Sequence, residues 1–469
     1  MMLLSQTAQV LDGRIIGADV RFTAVSSDSR KLIQGDLFVA LRGENFDGYE
    51  FVAQAAQRGA AASLVNADSY KAHPSVPSPQ SPILLVQDTR LALGKLAAYW
   101  RRQFDIPLVA ITGSNGKTTV KEMLACILRE AAGDSKAVLA TRGNLNNDIG
   151  MPLTLLQLDP MHRYAVIEMG MNHTGEIDYL THIAAPDVAL INNAGGAHLE
   201  GLGSVKAVAR AKGEIFAGLK PHGAALINAD DEFAPLWREM AGVHPLLEFG
   251  LDKQADVRGI WHAQDAGLRL QVTAPQGMFD VNLQVPGIHN ARNALAATAA
   301  ASALNIPLEK ITAGLKKFSG VAGRLQRIAA RFGGHLIDDT YNANPASMQA
   351  AISVLARLGG KRVLVLGDMG ELGDDAAKFH AEIGREARRA GIEKLYALGS
   401  LSNHAAREFG SGAQHFERIE DLQDALEKEL DAGTTVLVKG SRFMKMERVV
   451  KYFAVQEEHE LPGMEGAHE

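Results

Sequence analysis

The dozen residues ITGSNGKTTVKE (111–122) hold the side chains and spacing best suited to chemistry on a phosphate. An apolar strand, LVAIT (108–112), runs into a glycine-containing turn, and Lys117, Thr118 and Thr119 open a helix. In such a turn Gly113, Ser114, Asn115 and Gly116 can close backbone N–H groups around phosphate oxygens, and the helix N-terminus favours negative charge. Lys117 is then placed for the β- and γ-phosphates of a nucleoside triphosphate, and the Thr118 hydroxyl for its magnesium. The pattern departs from the usual phosphate loop, since no glycine lies five residues before Gly116, only Gly113 three before it. The bland reading is an ordinary strand–turn–helix junction. Lys-Thr-Thr directly after the turn argues against it.

Other candidates stand at strand ends and helix starts. Glu168 closes the apolar run YAVIEM, where a carboxylate can hold a divalent cation against a triphosphate; its alternative is a solvated strand-end acid. His198 sits in a small-residue loop, NNAGGAH, and a lone loop histidine is by default a surface residue. Lys212, in ARAKGEIF, is on its own merits one more helical lysine, with Lys206 as its neighbour and competitor. Asn290 and Asn293, in HNARNALAA, lie three apart on one helix face, and their amides can read adenine as donor and acceptor together; Asn290 can equally be an N-cap. Gly367, Gly370 and Gly373 follow a strand at a spacing that is not the dinucleotide fingerprint, so no nicotinamide cofactor is expected.

These groups need a scaffold. Apolar β-type runs alternate with helical segments along nearly the whole chain, the pattern of α/β domains with largely parallel sheets. Strand candidates are GDLFVAL (35–41), ASLVN (62–66), ILLVQD (83–88), LVAIT (108–112), YAVIEM (164–169), DVALIN (187–192) and AALIN (224–228). They resume with HLIDD (335–339), RVLVLGD (362–368), KLYALG (394–399) and TTVLVKG (434–440), after a β-like interlude near 247–285 and a helix over 290–304. At 469 residues the chain is too long for one core, so roughly two to four domains are expected. HPSVPSPQSP (73–82) reads as a surface loop, and the tail EEHELPGMEGAHE as frayed. Charged residues are 22% and the net charge is -6, which gives no support to nucleic-acid binding or to a polybasic membrane contact. Cys126 is the only cysteine, which rules out an internal disulfide and a thiolate zinc site. No apolar run reaches the roughly 20 residues of a membrane span, and the N-terminus has no basic leader region. A cytoplasmic protein is expected.

The shortened loop TGSNGKTT resembles the ATP loop of the Mur ligase superfamily, which also includes folylpolyglutamate synthetase. GNLNNDIGMPLTLL (143–156), EMGMNHTGEI (168–177), INNAGGAHLEGLGS (191–204), ARAKGEIF (209–216), PGIHNARNALAA (286–297), GRLQ (323–326), DDTYNANPASM (338–348) and GDMGELG (367–373) look like the D-alanyl-D-alanine-adding branch. The resemblance spans about Val25 to Met446. The diaminopimelate- or lysine-adding branch usually has DYAHTPD where this chain has DDTYNANP.

The resemblance implies three domains: a small N-terminal α/β UDP-binding domain (1–87), a central P-loop-type parallel-sheet ATPase domain (88–320) and a C-terminal Rossmann-like domain (321–469). It implies ATP and Mg2+, with UDP-MurNAc-tripeptide and D-alanyl-D-alanine as substrates of a monomeric ligase. His198 and a carbamylated Lys212 would hold a second magnesium. Asn290 and Asn293 would meet adenine, Arg324 the phosphates and Asp339 the ribose. Arg324 lies past the second domain boundary and would reach the phosphates only on closure. In SSDSRKLIQGDLFVALRGENFDGYEF (26–51), Ser27, Ser29 and Arg30 would contact the uridine diphosphate, with Asn45 and Asp47 beside them. Turn and cap roles in a small domain are the alternative for these five. Asn146 and Asn147 would sit near the peptide end of the substrate, and Tyr341, Asn342 and Asn344 would face the dipeptide or the nucleotide.

Overall fold

The computed structural model describes residues 1–43, 46–72, 81–196, 199–264 and 267–455, without the side chains of 199 and 200. The expected loop at 73–82 and the acidic tail fall almost wholly outside them, as do Asn45 and His198. The chain divides into two compact units. One comprises Met1–Gly195, Gly201–Gln284 and Ile288–Phe318; the other comprises Ser319 onward with the short pieces Gly196–Glu200 and Val285–Gly287.

The first unit contains two large sheets. In the five-stranded one, Val25–Ser26, Leu37–Val39, Ala62–Asn66 and Ile83–Val86 run parallel, and Arg14–Ile16 closes the edge antiparallel to Ile83–Val86. Ala62–Asn66 and Ile83–Val86 are buried on both faces, which is why they read as unbroken apolar runs. Phe38, Tyr49, Val52, Val65 and Leu85 form the core on one side. The helix Thr89–Arg101 follows, started by Asp88, whose Oδ1 accepts from the N–H groups of Arg90 and Leu91 at 2.8 and 3.0 Å.

The second sheet of this unit has nine strands. Their order is Val138–Ala140, Tyr164–Glu168, Leu108–Thr112, Val188–Ile191, Ala224–Asn228, Leu246–Gly250, Val257–Gln264, Gly267–Ala274 and Gly277–Leu283. All pairs are parallel as far as Val257–Gln264, and the last two strands return as an antiparallel meander. From Leu108–Thr112 the chain first builds strands on one side, then crosses to Val188–Ile191 on the other. The carboxyl end of Leu108–Thr112 is therefore a topological switch point, where open α/β sheets bind ligands. The candidate phosphate loop, 113–116, begins there.

In the second unit Gln326–Ala329, His335–Asp339, Thr434–Lys439, Lys361–Gly367, Lys394–Leu398 and Ala413–Phe416 form a six-stranded sheet, parallel except for its first strand. Thr434–Lys439, last in sequence, is inserted between His335–Asp339 and Lys361–Gly367, which makes another switch point. Separate apolar clusters cover the two faces, one around Ile352, Leu364 and Leu437, the other around Val365, Val436 and Phe453. Among the described residues no helix is long and apolar enough to cross a membrane.

Candidate active site

In the first unit the loop 113–116 leads into the helix Lys117–Ala132. Gly113 has φ +157° and Gly116, the N-cap, φ +81°. The second value is left-handed backbone that glycine adopts without a Cβ penalty. Gly116 has no side chain to cap the helix. Lys117 folds back with its Nζ donating to the Gly113 carbonyl at 2.6 Å, a cation held over the cradle.

Behind the loop, the Thr118 hydroxyl donates to Glu168 Oε2 at 2.8 Å, and Asn146 Nδ2 donates to Glu168 Oε1 at 2.8 Å. Glu168 and Thr118 are 2% and 6% exposed. The Glu168 N–H donates to Thr141 Oγ1, which fixes the strand end that carries the carboxylate. A buried hydroxyl touching a buried carboxylate is a hard-oxygen pair of the type magnesium takes. Thr119 is buried in the same helix turn. Asn147 is exposed, and its Oδ1 accepts from Gly150 N–H at 2.8 Å, which starts the helix Gly150–Leu155.

Lys212 lies in the last turn of the helix Val205–Gly213 and is 1% exposed. Burial, and secondarily the charge of Lys117, hold its pKa well below the ordinary lysine value. The default of a solvent-facing lysine therefore does not describe it. The turn that carries it is braced by Trp237, fully buried, whose indole N–H donates to the Ala209 carbonyl at 2.9 Å.

Asn290 and Asn293 are both buried, in a helix that starts at Ile288. Asn290 thus lies inside the first turn and is not its N-cap. Asn293 Nδ2 donates to Asn290 Oδ1 at 3.3 Å, and Asn293 Oδ1 accepts from Asn192 Nδ2 at 3.0 Å. The pair backs onto the phosphate loop through Asn192, a residue the sequence reading passed over. Asn192, Asn193 and Asn228 all belong to this layer. The available signal was that DVALIN and AALIN, adjacent strands, both end in asparagine.

The N-terminal candidates lie on and around the five-stranded sheet. Arg30 is exposed and makes a two-point pair with Asp28, which holds that carboxyl down at about 2. Ser29 Oγ donates to Gln54 Oε1 at 2.8 Å. Asp47 caps the short helix Gly48–Phe51, its Oδ1 accepting from Tyr49 N–H at 2.9 Å, and it also meets Ser69 Oγ. Ser27 is half-buried beside them in sequence. The turn and cap reading accounts for Asp47 as it stands.

In the second unit, residues from the carboxyl ends of the sheet converge. Asp339 Oδ2 pairs with Lys439 Nζ at 2.7 Å and its Oδ1 accepts from Leu325 N–H at 3.1 Å. Burial raises the Asp339 carboxyl despite that partner. The Arg324 guanidinium lies over the Tyr341 ring, 4.2 Å from its centroid. Asn342 Oδ1 accepts from Ala343 N–H, and its carbonyl accepts from Lys439 Nζ at 2.9 Å. Asn344 caps the helix Pro345–Leu355 through Ser347 N–H at 2.9 Å.

Three family models account for most of the chain: "Mur ligase family, catalytic domain" at residues 21–101, "Mur ligase middle domain" at 111–301 and "Mur ligase, glutamate ligase domain" at 323–442. A UDP-N-acetylmuramoyl-tripeptide–D-alanyl-D-alanine ligase of Escherichia coli (strain K12) is 44% identical over 97% of this chain and 98% of that protein. The chain belongs to the Mur ligase family. An enzyme of the same name from Haemophilus influenzae is 42% identical over 95% of this Mur ligase and 96% of its own length. A solved MurF from Acinetobacter baumannii superposes with TM-score 0.87 at 38% identity, covering 96% and 97% of the two chains. MurF ligase from Thermotoga maritima, solved in complex with ADP, gives TM-score 0.80 at 29% identity over 92% and 96%. The expected three-part α/β architecture is the one this family has.

Proposed function

We propose that this Mur ligase uses ATP to join D-alanyl-D-alanine to UDP-MurNAc-tripeptide in the synthesis of peptidoglycan precursors. The observation that carries the reading is near-full-length likeness to ligases that bear this substrate pair in their name. The phosphate loop at the switch point supplies the chemistry that such a ligase requires.

A free carboxylate is a poor acyl donor at neutral pH because oxide does not leave. The tripeptide carboxylate oxygen attacks the γ-phosphorus of ATP, the bond to the bridging oxygen breaks, and ADP departs with the electron pair. The neutral amine of the dipeptide then attacks the acyl carbon. The carbon–oxygen bond to phosphate breaks, and the nitrogen gives up one proton. Lys117, already held over the loop by the Gly113 carbonyl, is the cation for the β- and γ-phosphates. Arg324 adds a permanent planar charge for the transferring group.

Thr118 and Glu168 are the residues to hold magnesium, with Asn146 keeping the carboxylate aimed. When bound, the ion screens the triphosphate and its leaving group. His198 and Lys212 are assigned to a second ion. A buried lysine kept neutral adds to carbon dioxide: nitrogen and carbon bond, one N–H proton leaves to solvent, and a carbamate anion results. Residues 1–87 are taken as the uridine-diphosphate module, with Ser27, Ser29, Arg30, Asn45 and Asp47 as its contacts. Asn290 and Asn293 are assigned to adenine and Asp339 to the ribose; Asn146 and Asn147 are assigned near the peptide end of the substrate, and Tyr341, Asn342 and Asn344 to the dipeptide or the nucleotide. The reaction is taken to run in the cytoplasm, and the chain to act as a monomer.

The test is a panel of amino donors with UDP-MurNAc-tripeptide, ATP and Mg2+, following phosphate release. D-Alanyl-D-alanine should turn over at least about tenfold better than single amino acids or glutamate, the ratio that about 1.4 kcal/mol of differential binding gives. Preference for glutamate, or ATP hydrolysis without any carboxylate, would point to another ligase or to a switch ATPase.

A further inference from the structure

We propose that Asn193, with Asn192 beside it, is a positioning residue that sets the orientation of the phosphate loop before nucleotide arrives. The proposal rests on the reading of 113–119 as the nucleotide loop.

The Asn115 peptide groups are held by side-chain amides from the turn after Val188–Ile191. Asn193 Oδ1 accepts from Asn115 N–H at 2.8 Å, and Asn193 Nδ2 donates to the Asn115 carbonyl at 3.0 Å. One side chain therefore reads both polar groups of one backbone residue. Asn192 Nδ2 donates to the same carbonyl at 2.9 Å. Ser114 joins the two segments again: its N–H donates to the Asn193 carbonyl at 3.0 Å, and its Oγ accepts from Gly195 N–H at 2.9 Å.

Two donors on the Asn115 carbonyl fix the plane of the Asn115–Gly116 peptide. In a trans peptide the N–H points opposite the carbonyl. Holding the carbonyl toward the asparagines therefore turns the Gly116 N–H away from them, at the start of the helix Lys117–Ala132. Glycine alone would leave this peptide free to rotate, because Gly116 tolerates either sign of φ. The asparagines remove that freedom. Asn192 is itself fixed, its carbonyl accepting from Asn228 Nδ2 at 2.9 Å and its Nδ2 also reaching Asn293 Oδ1 at 3.0 Å. The brace thus runs across strands Ala224–Asn228 and Val188–Ile191 to the loop. A nucleotide that meets a loop already in shape gives up less binding free energy to ordering.

Asn193 is only half-buried, so its removal leaves no large cavity. The experiment measures ADP affinity by calorimetry with Mg2+, and steady-state kinetics in both substrates, for Asn193→Ala, Asn193→Asp and Lys117→Ala. Loss of two hydrogen bonds should weaken ADP binding and raise the ATP KM by about tenfold in Asn193→Ala. The KM for UDP-MurNAc-tripeptide should change less than about twofold. Asn193→Asp is isosteric and keeps the acceptor for Asn115 N–H, but sets a carboxylate against the Asn115 carbonyl. It should be at least as impaired as Asn193→Ala, with a melting temperature near wild type. Unchanged ADP affinity in Asn193→Asp and Asn193→Ala, while Lys117→Ala loses it, overturns the proposal alone. Unchanged affinity in Lys117→Ala overturns the nucleotide-loop reading beneath it. Equal rises in the KM of both substrates would make Asn193 a general fold residue and also overturn the proposal.

Discussion

With 1% of its surface exposed, Lys212 is held where a positive charge is costly. Burial, with the charge of Lys117, lowers its pKa, which favours the neutral amine that the proposed carbamate needs. Lys212→Arg keeps a cation and cannot form the carbamate, so ligation should fall by about 100-fold, the upper range for disturbed metal shells. Wild-type rates in carbon-dioxide-depleted buffer should fall too and recover on adding bicarbonate. Full activity in Lys212→Arg would reduce Lys212 to a packing role. His380 has the opposite use for a buried neutral group. Its Nε2 accepts from Met369 N–H at 2.9 Å and its Nδ1 faces the Ala376 carbonyl at 2.7 Å, which holds the GDMGELG turn. Burial lowers its pKa from the ordinary 6.5, with Asp368 opposing and His404 assisting. As pH falls through about 6.5 the unfolded chain takes up a proton that the folded chain still refuses, so stability declines until pH reaches the folded value. Melting temperature measured from pH 8 to 5 should fall on the acid side, and His380→Gln should flatten that slope. Lys117, Thr118 and Glu168 stood out as candidates because each stands in a local pattern, and the structure sets Thr118 against Glu168 and folds Lys117 back onto Gly113. The sequence left Lys212 as one of several lysines, since burial is a property of packing.

At the scale of elements, the phosphate loop depends on a glycine that nothing else can replace. A Cβ at Gly116 would lie 2.4 Å from Asn293 Oδ1 and 2.5 Å from Asn192 Nδ2, at φ +81°. The backbone penalty alone is about 1–2 kcal/mol, before any clash. Gly116→Ala should lower ADP affinity in calorimetry by at least about tenfold, and an unchanged affinity would mean that the loop relaxes without loss. Strands with long apolar runs were readable: ASLVN and HLIDD coincide with Ala62–Asn66 and His335–Asp339. The β-like interlude became the meander at the end of the nine-stranded sheet. Val138–Ala140 and Ala413–Phe416 escaped notice because three or four residues at a sheet edge carry too little periodicity. The asparagine brace escaped for a different reason. Its members are near one another only because Val188–Ile191 pairs with Leu108–Thr112, a contact no local window contains.

For the molecule as a whole, the account makes one demand that no single variant tests: the tripeptide carboxylate must be activated by phosphorylation. Its oxygen then has a traceable fate. With both carboxylate oxygens labelled with oxygen-18, the attack on ATP places one in the bridge of the acyl phosphate, and amine attack releases it with the phosphate. The measurement is mass spectrometry of the inorganic phosphate formed during ligation with D-alanyl-D-alanine. The account predicts one labelled oxygen per phosphate, the other remaining in the new amide. Phosphate formed at the ligation rate with no label would contradict it, because the carboxylate would then never have been bonded to phosphorus.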